Sequence, residues 1–167
     1  MKTTKTYKFD FKRALAMSAM SFVFLFVLIV LTLILNEGGF TKSDLLFFGI
    51  WCLPPIMGLT LSLNYYLNSK NVTIYFTNES TKIEDNGYST ELQNAEIDRV
   101  IITSCSTHLL FIPWTHFEYY ALFQGDKKIT FNNFSLDQSD FFGDNLTRHI
   151  NRDLIEYKRT WYPWMKK

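Results

Sequence analysis

Two small groups of residues in the second half of the chain have types and spacings that could support chemistry. His116 and Glu118 are two positions apart, so on a β-strand they would share a face and could form half of a metal site. No histidine or cysteine at ligand spacing completes that site. Cys105, three residues before His108, could be a thiol nucleophile beside a base, but no glycine-rich nucleophile turn accompanies it. The sequence therefore predicts neither an enzyme nor a metal or cofactor site.

Charge makes nucleic acid a poor candidate for the partner. From Val72 onward the chain has ten basic and thirteen acidic residues, whereas phosphate binding needs clustered cations. Aromatic residues are the conspicuous excess, at 17% of the chain. Phe111 and Trp114 fall in a predicted loop between strands, where they are candidates for contact with a partner or with the membrane.

Aromatic and basic residues also lie together in three places that suit a membrane interface. Rings favour the headgroup layer, and each cation near an anionic lipid surface contributes about 1 kcal/mol. For the C-terminal group the alternative is a disordered tail. The candidates are Lys8, Lys12 and Arg13; Tyr65 and Tyr66; and Lys158, Arg159, Trp161, Tyr162, Trp164, Lys166 and Lys167.

Two long apolar runs in the first half of the chain would position these residues. Residues 14–35 and 45–67 contain no charged residue, and residues 36–44 form a polar connector between them. At ~1.5 Å per residue the first run would be a helix of roughly 33 Å, enough to cross a ~30 Å hydrocarbon core. A bilayer core offers no water to backbone amides, so we expect both runs to be helices. The sequence predicts a transmembrane helical hairpin.

The flanks of the two runs predict their orientation. Residues 1–13 contain five cations and one acidic residue, whereas the connector contains one lysine and two acidic residues. By the positive-inside rule we expect both termini in the cytoplasm and the protein in the cell inner membrane. Cys52 and Cys105 are then kept apart by the topology and in a reducing compartment, so no disulfide is expected. Pro54 and Pro55 are expected to kink or break the second span, which would shape its packing.

Beyond residue 71 the periodicity becomes that of strands. Apolar residues alternate in the first of them, and Asn86-Gly87 is typical of a tight hairpin. Apolar residues at every fourth position from Phe142 to Leu154 predict an amphipathic helix that begins at Ser135 or Asp137. The predicted strands, all antiparallel, are at residues 72–77, 81–84, 88–92, 99–103, 117–124 and 128–132.

This order of elements resembles that of bacterial PH-like domains that follow a two-helix membrane hairpin, the YcxB-like proteins. The matching features are the strand directly after the second apolar run, the Asn86-Gly87 hairpin, and residues 95–100, 113–120 and 126–130. The resemblance covers roughly residues 45–150. It implies an α+β membrane protein in which a transmembrane helical hairpin precedes a PH-like antiparallel β-barrel capped by one α-helix.

The resemblance also implies a recognition scaffold. We expect a non-enzymatic inner-membrane protein whose cytoplasmic domain binds a protein partner or anionic lipid headgroups. The alternative is an accessory subunit of a membrane enzyme or transporter complex. The predicted units are a cytoplasmic flank at 1–13, the hairpin at 14–67, the PH-like domain at 72–157 and a tail at 158–167.

Overall fold

The structure, a computed structural model, describes residues 4–35, 41–106, 114–136 and 150–166. It is an α+β fold with two long helices, α1 (Phe11–Leu35) and α2 (Lys42–Ser69). The six strands predicted from the sequence are all confirmed, with ends that shift by up to two residues, and two further strands are present. The strands are β1 (Lys5–Lys8), β2 (Val72–Phe76), β3 (Ser80–Asp85), β4 (Tyr88–Gln93), β5 (Arg99–Cys105), β6 (Glu118–Gln124), β7 (Lys127–Asn132) and β8 (Ile155–Thr160).

The strands form two four-stranded sheets, in the orders β1-β2-β3-β4 and β7-β6-β5-β8. All neighbours are antiparallel except β5 and β8, which are parallel. The hairpin between β3 and β4 closes at Asn86 and Gly87, with φ of 51° and 85°, a conformation that asparagine and glycine tolerate best. The inner faces of the two sheets share one hydrophobic core, whose most buried members are Ile74, Leu92, Val100, Leu122, Ile129 and Phe131.

Strand β1 comes before both helices and pairs with β2, which comes after them. Lys5 lies opposite Phe76, and Lys8 lies opposite Thr73. The Tyr7 ring is buried edge-on against Phe76, with 5.8 Å between ring centroids. Residues 5–8 of the predicted cytoplasmic flank at 1–13 are therefore a strand of the first sheet. Both helices are inserted between two neighbouring strands of one sheet.

The C-terminal region also differs from its prediction. Residues 137–149, most of the predicted helix, lie outside the described residues, but residues 150–154 are not α-helical. A 3₁₀ turn at Arg152–Leu154 leads directly into β8, which continues through Thr160. Ile150 and Leu154 nevertheless pack on the core between the sheets, which accounts for their apolar character. The predicted boundary between domain and tail at residue 158 falls inside this strand.

The helices pack against each other through small and polar side chains. The Ser18 hydroxyl of α1 donates to the Ser62 hydroxyl of α2 at 2.8 Å, and Ala14 joins the cluster formed around Leu61 of α2. α2 begins with a capping box between Thr41 and Asp44. It runs without interruption through Pro54 and Pro55, so the predicted break of the span is wrong, while the predicted kink stays a prediction.

Candidate functional site

The last turns of α2 are packed against one end of the two sheets. Leu61 and Tyr65 are completely buried there. The Tyr65 ring lies 5.1 Å from that of Phe117 and 5.4 Å from that of Phe134. We call this group the basal cluster; its members are Ala14, Leu61, Tyr65, Cys105, Trp114, Phe117, Phe134 and Met165. The burial of Tyr65 contradicts its prediction as an exposed residue at the membrane interface.

The residues after β8 lie along α2, and we call residues 161–166 the C-terminal segment. The Tyr162 hydroxyl donates to the Met57 carbonyl at 2.8 Å and lies 2.8 Å from the Thr60 hydroxyl. The Tyr65 hydroxyl donates to the Pro163 carbonyl at 2.9 Å. The segment is therefore ordered and docked on a helix, which contradicts the alternative of a disordered tail.

Asn64 of α2 binds the end of this segment through both polar atoms of its side-chain amide. Its Nδ2 donates to the Met165 carbonyl at 3.3 Å, and its Oδ1 accepts from the Met165 amide at 3.0 Å. Both residues are buried, so neither backbone group has water as a substitute. Sequence reasoning missed this pair, although a lone asparagine within a long apolar run is a recognisable signal of a specific polar contact.

Asn132, at the end of β7, joins the sheet to the same helix. Its Nδ2 donates to the Tyr65 carbonyl at 3.1 Å and to the Ser69 hydroxyl at 2.5 Å. Its Oδ1 accepts from the Phe134 amide at 3.1 Å. Asn132 is completely buried, so these bonds hold the sheet, the 3₁₀ turn after β7 and the end of α2 in one arrangement.

The aromatic residues near this junction divide into buried and exposed groups. Trp114 is only 1% exposed, and its indole Nε1 donates to the Trp161 carbonyl at 2.8 Å, so its prediction as an exposed contact in a loop is wrong. Phe111, predicted for the same role, lies outside the described residues. Trp161 is 51% exposed and Trp164 is 43% exposed. Trp164 stacks on Tyr162 with 5.9 Å between centroids.

The basic candidates lie at the surface. Lys8 ends β1 and Lys12 is in the first turn of α1, so both lie where the sheet meets the helix. Lys70 follows α2 directly, with its ammonium 5.7 Å from the centroid of exposed Tyr66. Lys158, Arg159 and Lys166 are also exposed. The Arg13 side chain and all of Lys167 lie outside the described residues, and contact of this set with lipid stays a prediction.

Three of the four residues that could do chemistry lie in the described part of the chain. His116 is exposed, and the carboxylate of Glu118 accepts instead from the Tyr120 hydroxyl at 2.9 Å. Cys105 is buried in the basal cluster, and His108 lies outside the described residues. Within the described ranges no three histidine, cysteine, aspartate or glutamate side chains are grouped as metal ligands.

Three polar side chains on the outer face of the first sheet have shifted pKa values. The Lys82 ammonium is 2.6 Å from the Glu84 carboxylate, and the Tyr75 hydroxyl donates to the same carboxylate at 3.1 Å. The hydrogen bonds from Lys82 and then Tyr75 lower the pKa of Glu84, while the bond to Glu84 raises the pKa of Lys82 and of Tyr75. Glu84 also lines a shallow polar cleft of about 370 Å³ with Asn71, Thr73, Asn86, Gly87 and Ser89.

One of three comparisons with known proteins finds a match. Searches of curated proteins and of solved structures find no significant match. The family model of the PH domain matches residues 6–143. The match begins within β1, before the helices, and includes β2 to β7. Because it covers most of the sequence, the chain belongs to the PH domain family.

Proposed function

We propose that this protein is an integral membrane protein in which α1 and α2 cross the bilayer and hold a binding domain at its cytoplasmic surface. The observation that carries the proposal is the exposure of large apolar side chains along both helices. In the most apolar 18-residue stretch of each helix, only 12% of the stretch in α1 and 22% of that in α2 is buried. The helices that form the core of a soluble protein have the opposite property.

The exposed side chains are large and continuous. Phe26, near the middle of α1, is 67% exposed, and Phe47 and Leu53 of α2 are exposed to a similar extent. Monomeric soluble proteins rarely expose apolar patches larger than a few hundred Å². Hydrocarbon is the environment in which such a surface is stable, and both helices are long enough to cross it.

The basic residues support the orientation. Lys8, Lys12 and Lys70 lie within a few residues of the two places where the chain passes between helix and sheet. Cations at that level contact anionic headgroups, and they favour the cytoplasmic side by the positive-inside rule. In a bacterial cell this corresponds to the inner membrane with both termini in the cytoplasm.

The domain supplies a general binding role, because PH domains commonly bind lipid headgroups or proteins. For this chain we propose a non-enzymatic protein that binds lipid headgroups or a protein partner at the membrane surface. The choice of ligand class rests on the family and on the exposed cations rather than on a defined pocket.

Membrane insertion and orientation can be tested together. The chain should stay in the membrane pellet after alkaline carbonate extraction and be released by detergent. In a variant with Cys52→Ala and Cys105→Ala, a cysteine placed at exposed Tyr88, the first residue of β4, should react with a membrane-impermeant maleimide only after the cells are lysed. The matched control is a cysteine at exposed Ser43, in the first turn of α2, which should react in intact spheroplasts. Release by carbonate, or the reverse labelling pattern, would contradict the proposal.

The alternative function, an accessory subunit of a membrane enzyme or transporter, places other spans on the exposed helix faces. Purification in mild detergent separates the two proposals. Stoichiometric co-purification of a multi-span protein would favour the subunit, while isolation of the chain alone with bound lipid would favour the independent binding protein.

A further inference from the structure

We infer that the C-terminal segment is a third membrane-embedded element, docked on α2 and exposing Trp161 and Trp164 to lipid. The inference rests on the proposed membrane insertion of α2. It goes further because it places non-helical backbone, residues 161–166, at the depth of the bilayer.

The depth follows from the charges at the ends of α2. Between Asp44 and Lys70 the chain carries no charge over residues 45–69, and a ~30 Å hydrocarbon core takes about 20 helical residues. Wherever those 20 residues fall within 45–69, they include residues 50–64. Met57, Thr60 and Asn64 are therefore inside the hydrocarbon region in every placement.

These three residues hold the segment at Tyr162 and Met165. Tyr162 reaches Met57 and Thr60 with its hydroxyl, and Met165 pairs with Asn64 through its backbone. Residues 162–165 consequently lie beside the membrane-embedded part of α2. The order along the segment also suits an interface, because Tyr162 lies deepest and charged Lys166 comes last, where its carbonyl accepts from the Lys128 ammonium at 3.4 Å.

Non-helical backbone can exist at this depth only if its polar groups are satisfied by the protein. The segment meets that requirement at six backbone groups between Trp161 and Met165. The carbonyls of Trp161, Pro163 and Met165 accept from Trp114, Tyr65 and Asn64 respectively. The Trp164 amide donates to the Tyr162 carbonyl at 2.8 Å, and the Met165 amide donates to Asn64. Pro163 has no amide hydrogen to satisfy.

The outer face of the segment fits the boundary between acyl chains and headgroups. Trp161 and Trp164 are about half exposed, while Pro163 and Met165 point inward and are buried. Indole rings prefer this boundary, and exposed Lys166 adds a cation for anionic headgroups. The occupant of this surface is therefore the lipid bilayer itself.

Tryptophan fluorescence tests the inference on the full chain in vesicles of phosphatidylcholine and phosphatidylglycerol with brominated acyl chains. Trp114 is retained in every variant because it is buried, and phenylalanine replaces the other tryptophans. A chain with Trp114 alone gives the background. Chains with Trp114 plus Trp51, Trp161 or Trp164 then report on one site each. Bromines near the headgroups and bromines near the bilayer centre distinguish depths.

The Trp51 reporter tests the proposed function, and the other two test this inference. We expect all three to lose fluorescence in brominated vesicles relative to the Trp114 background, with Trp161 and Trp164 quenched most by the shallow bromines. Quenching of Trp51 with no quenching of Trp161 or Trp164 would overturn the inference and leave membrane insertion standing. Absence of quenching at Trp51 would overturn membrane insertion, and the inference with it.

Discussion

Lys8 in β1 lies directly opposite Thr73 in β2, although both long helices lie between them in the chain. Antiparallel neighbours are ordinarily joined by a short turn, and here the turn is replaced by residues 9–72. The helices are therefore held at both ends by one pair of strands. The position of the sheet relative to the helices is fixed by two short connections rather than by a flexible linker.

This pairing predicts how the domain can be separated from the helices. A chain in which Asn-Gly replaces residues 10–71 should form a tight hairpin between β1 and β2, since a two-residue turn suits strands in this register. A chain that begins at Val72 lacks β1 and the buried Tyr7 ring. We expect the joined chain to be more stable by about 2 kcal/mol, the value of burying one large apolar side chain. Urea unfolding followed by circular dichroism, in the same mild detergent, measures the difference.

The shorter chain is a matched control because both chains lose α1 and α2, with Ala14, Leu61 and Tyr65, and expose the same remaining residues of the basal cluster. Equal free energies of unfolding would show that β1 contributes nothing to the domain. That result would contradict the insertion of the helices into the sheet.

Strands β2 to β7 could be predicted because alternation and turn residues are local signals. β1 could not, because four residues are too few to show a period and its partner is more than sixty positions away. β8 was hidden for a different reason. Ile150 and Leu154 continue a four-residue apolar spacing, but their burial comes from a 3₁₀ turn against the core.

The junction between helices and sheets was less predictable than the strands. Tyr65 has the sequence context of an interfacial aromatic residue, yet it is covered by Phe117 and Phe134. Trp114 lies in a predicted loop, yet it is buried against Trp161. The burial of Tyr65 and of Trp114 depends on tertiary contacts between distant segments. The periodicity of the sequence does not predict such contacts. What the sequence did indicate was the aromatic and basic character of the region.

Lysine substitutions test whether lipid or water surrounds α1. Phe22 and Phe26 are exposed on α1 and one turn apart. Two lysines near the centre of a span raise the free energy of membrane insertion by about 5–7 kcal/mol. Most of the Phe22→Lys/Phe26→Lys variant should therefore be released from the membrane pellet by alkaline carbonate. The Phe22→Leu/Phe26→Leu variant should stay in the pellet. If water surrounds α1, the lysine variant would instead fold normally and be more soluble.

The Glu84 group predicts a small pH dependence of stability. Its pKa is lowered in the folded protein, first by the hydrogen bond from Lys82 and then by that from Tyr75. The stabilisation is therefore present at neutral pH and lost as the pH falls through the lowered pKa. The unfolding midpoint of Glu84→Gln should lie slightly below that of the wild type at pH 7, because exposed pairs contribute little. The two midpoints should converge as the pH falls through and below the lowered pKa of Glu84.

Glu156→Gln is the control for that experiment, since Glu156 is an exposed glutamate on β8. Its difference from the wild type should not follow the same pH course. If the unfolding midpoints of Glu84→Gln and the wild type differed by the same amount at every acidic pH, the ionised carboxylate of Glu84 would not be the source of the stabilisation.

Asn64 provides the sharpest test of the docked C-terminal segment. Asn64→Leu keeps the branched shape of the side chain but leaves the buried Met165 amide and carbonyl without their partner. An unsatisfied buried group costs about 1–3 kcal/mol, so detachment of the segment should increase about tenfold or more. Hydrogen exchange of the Met165 amide and carboxypeptidase release of the last residues both measure detachment.

Asn68→Leu, one turn later, is the control. The Asn68 side chain donates to the Asn64 carbonyl within α2 at 2.7 Å, so this variant should leave the segment docked. Equal protection of Met165 in wild type and Asn64→Leu would show that this asparagine does not hold the segment.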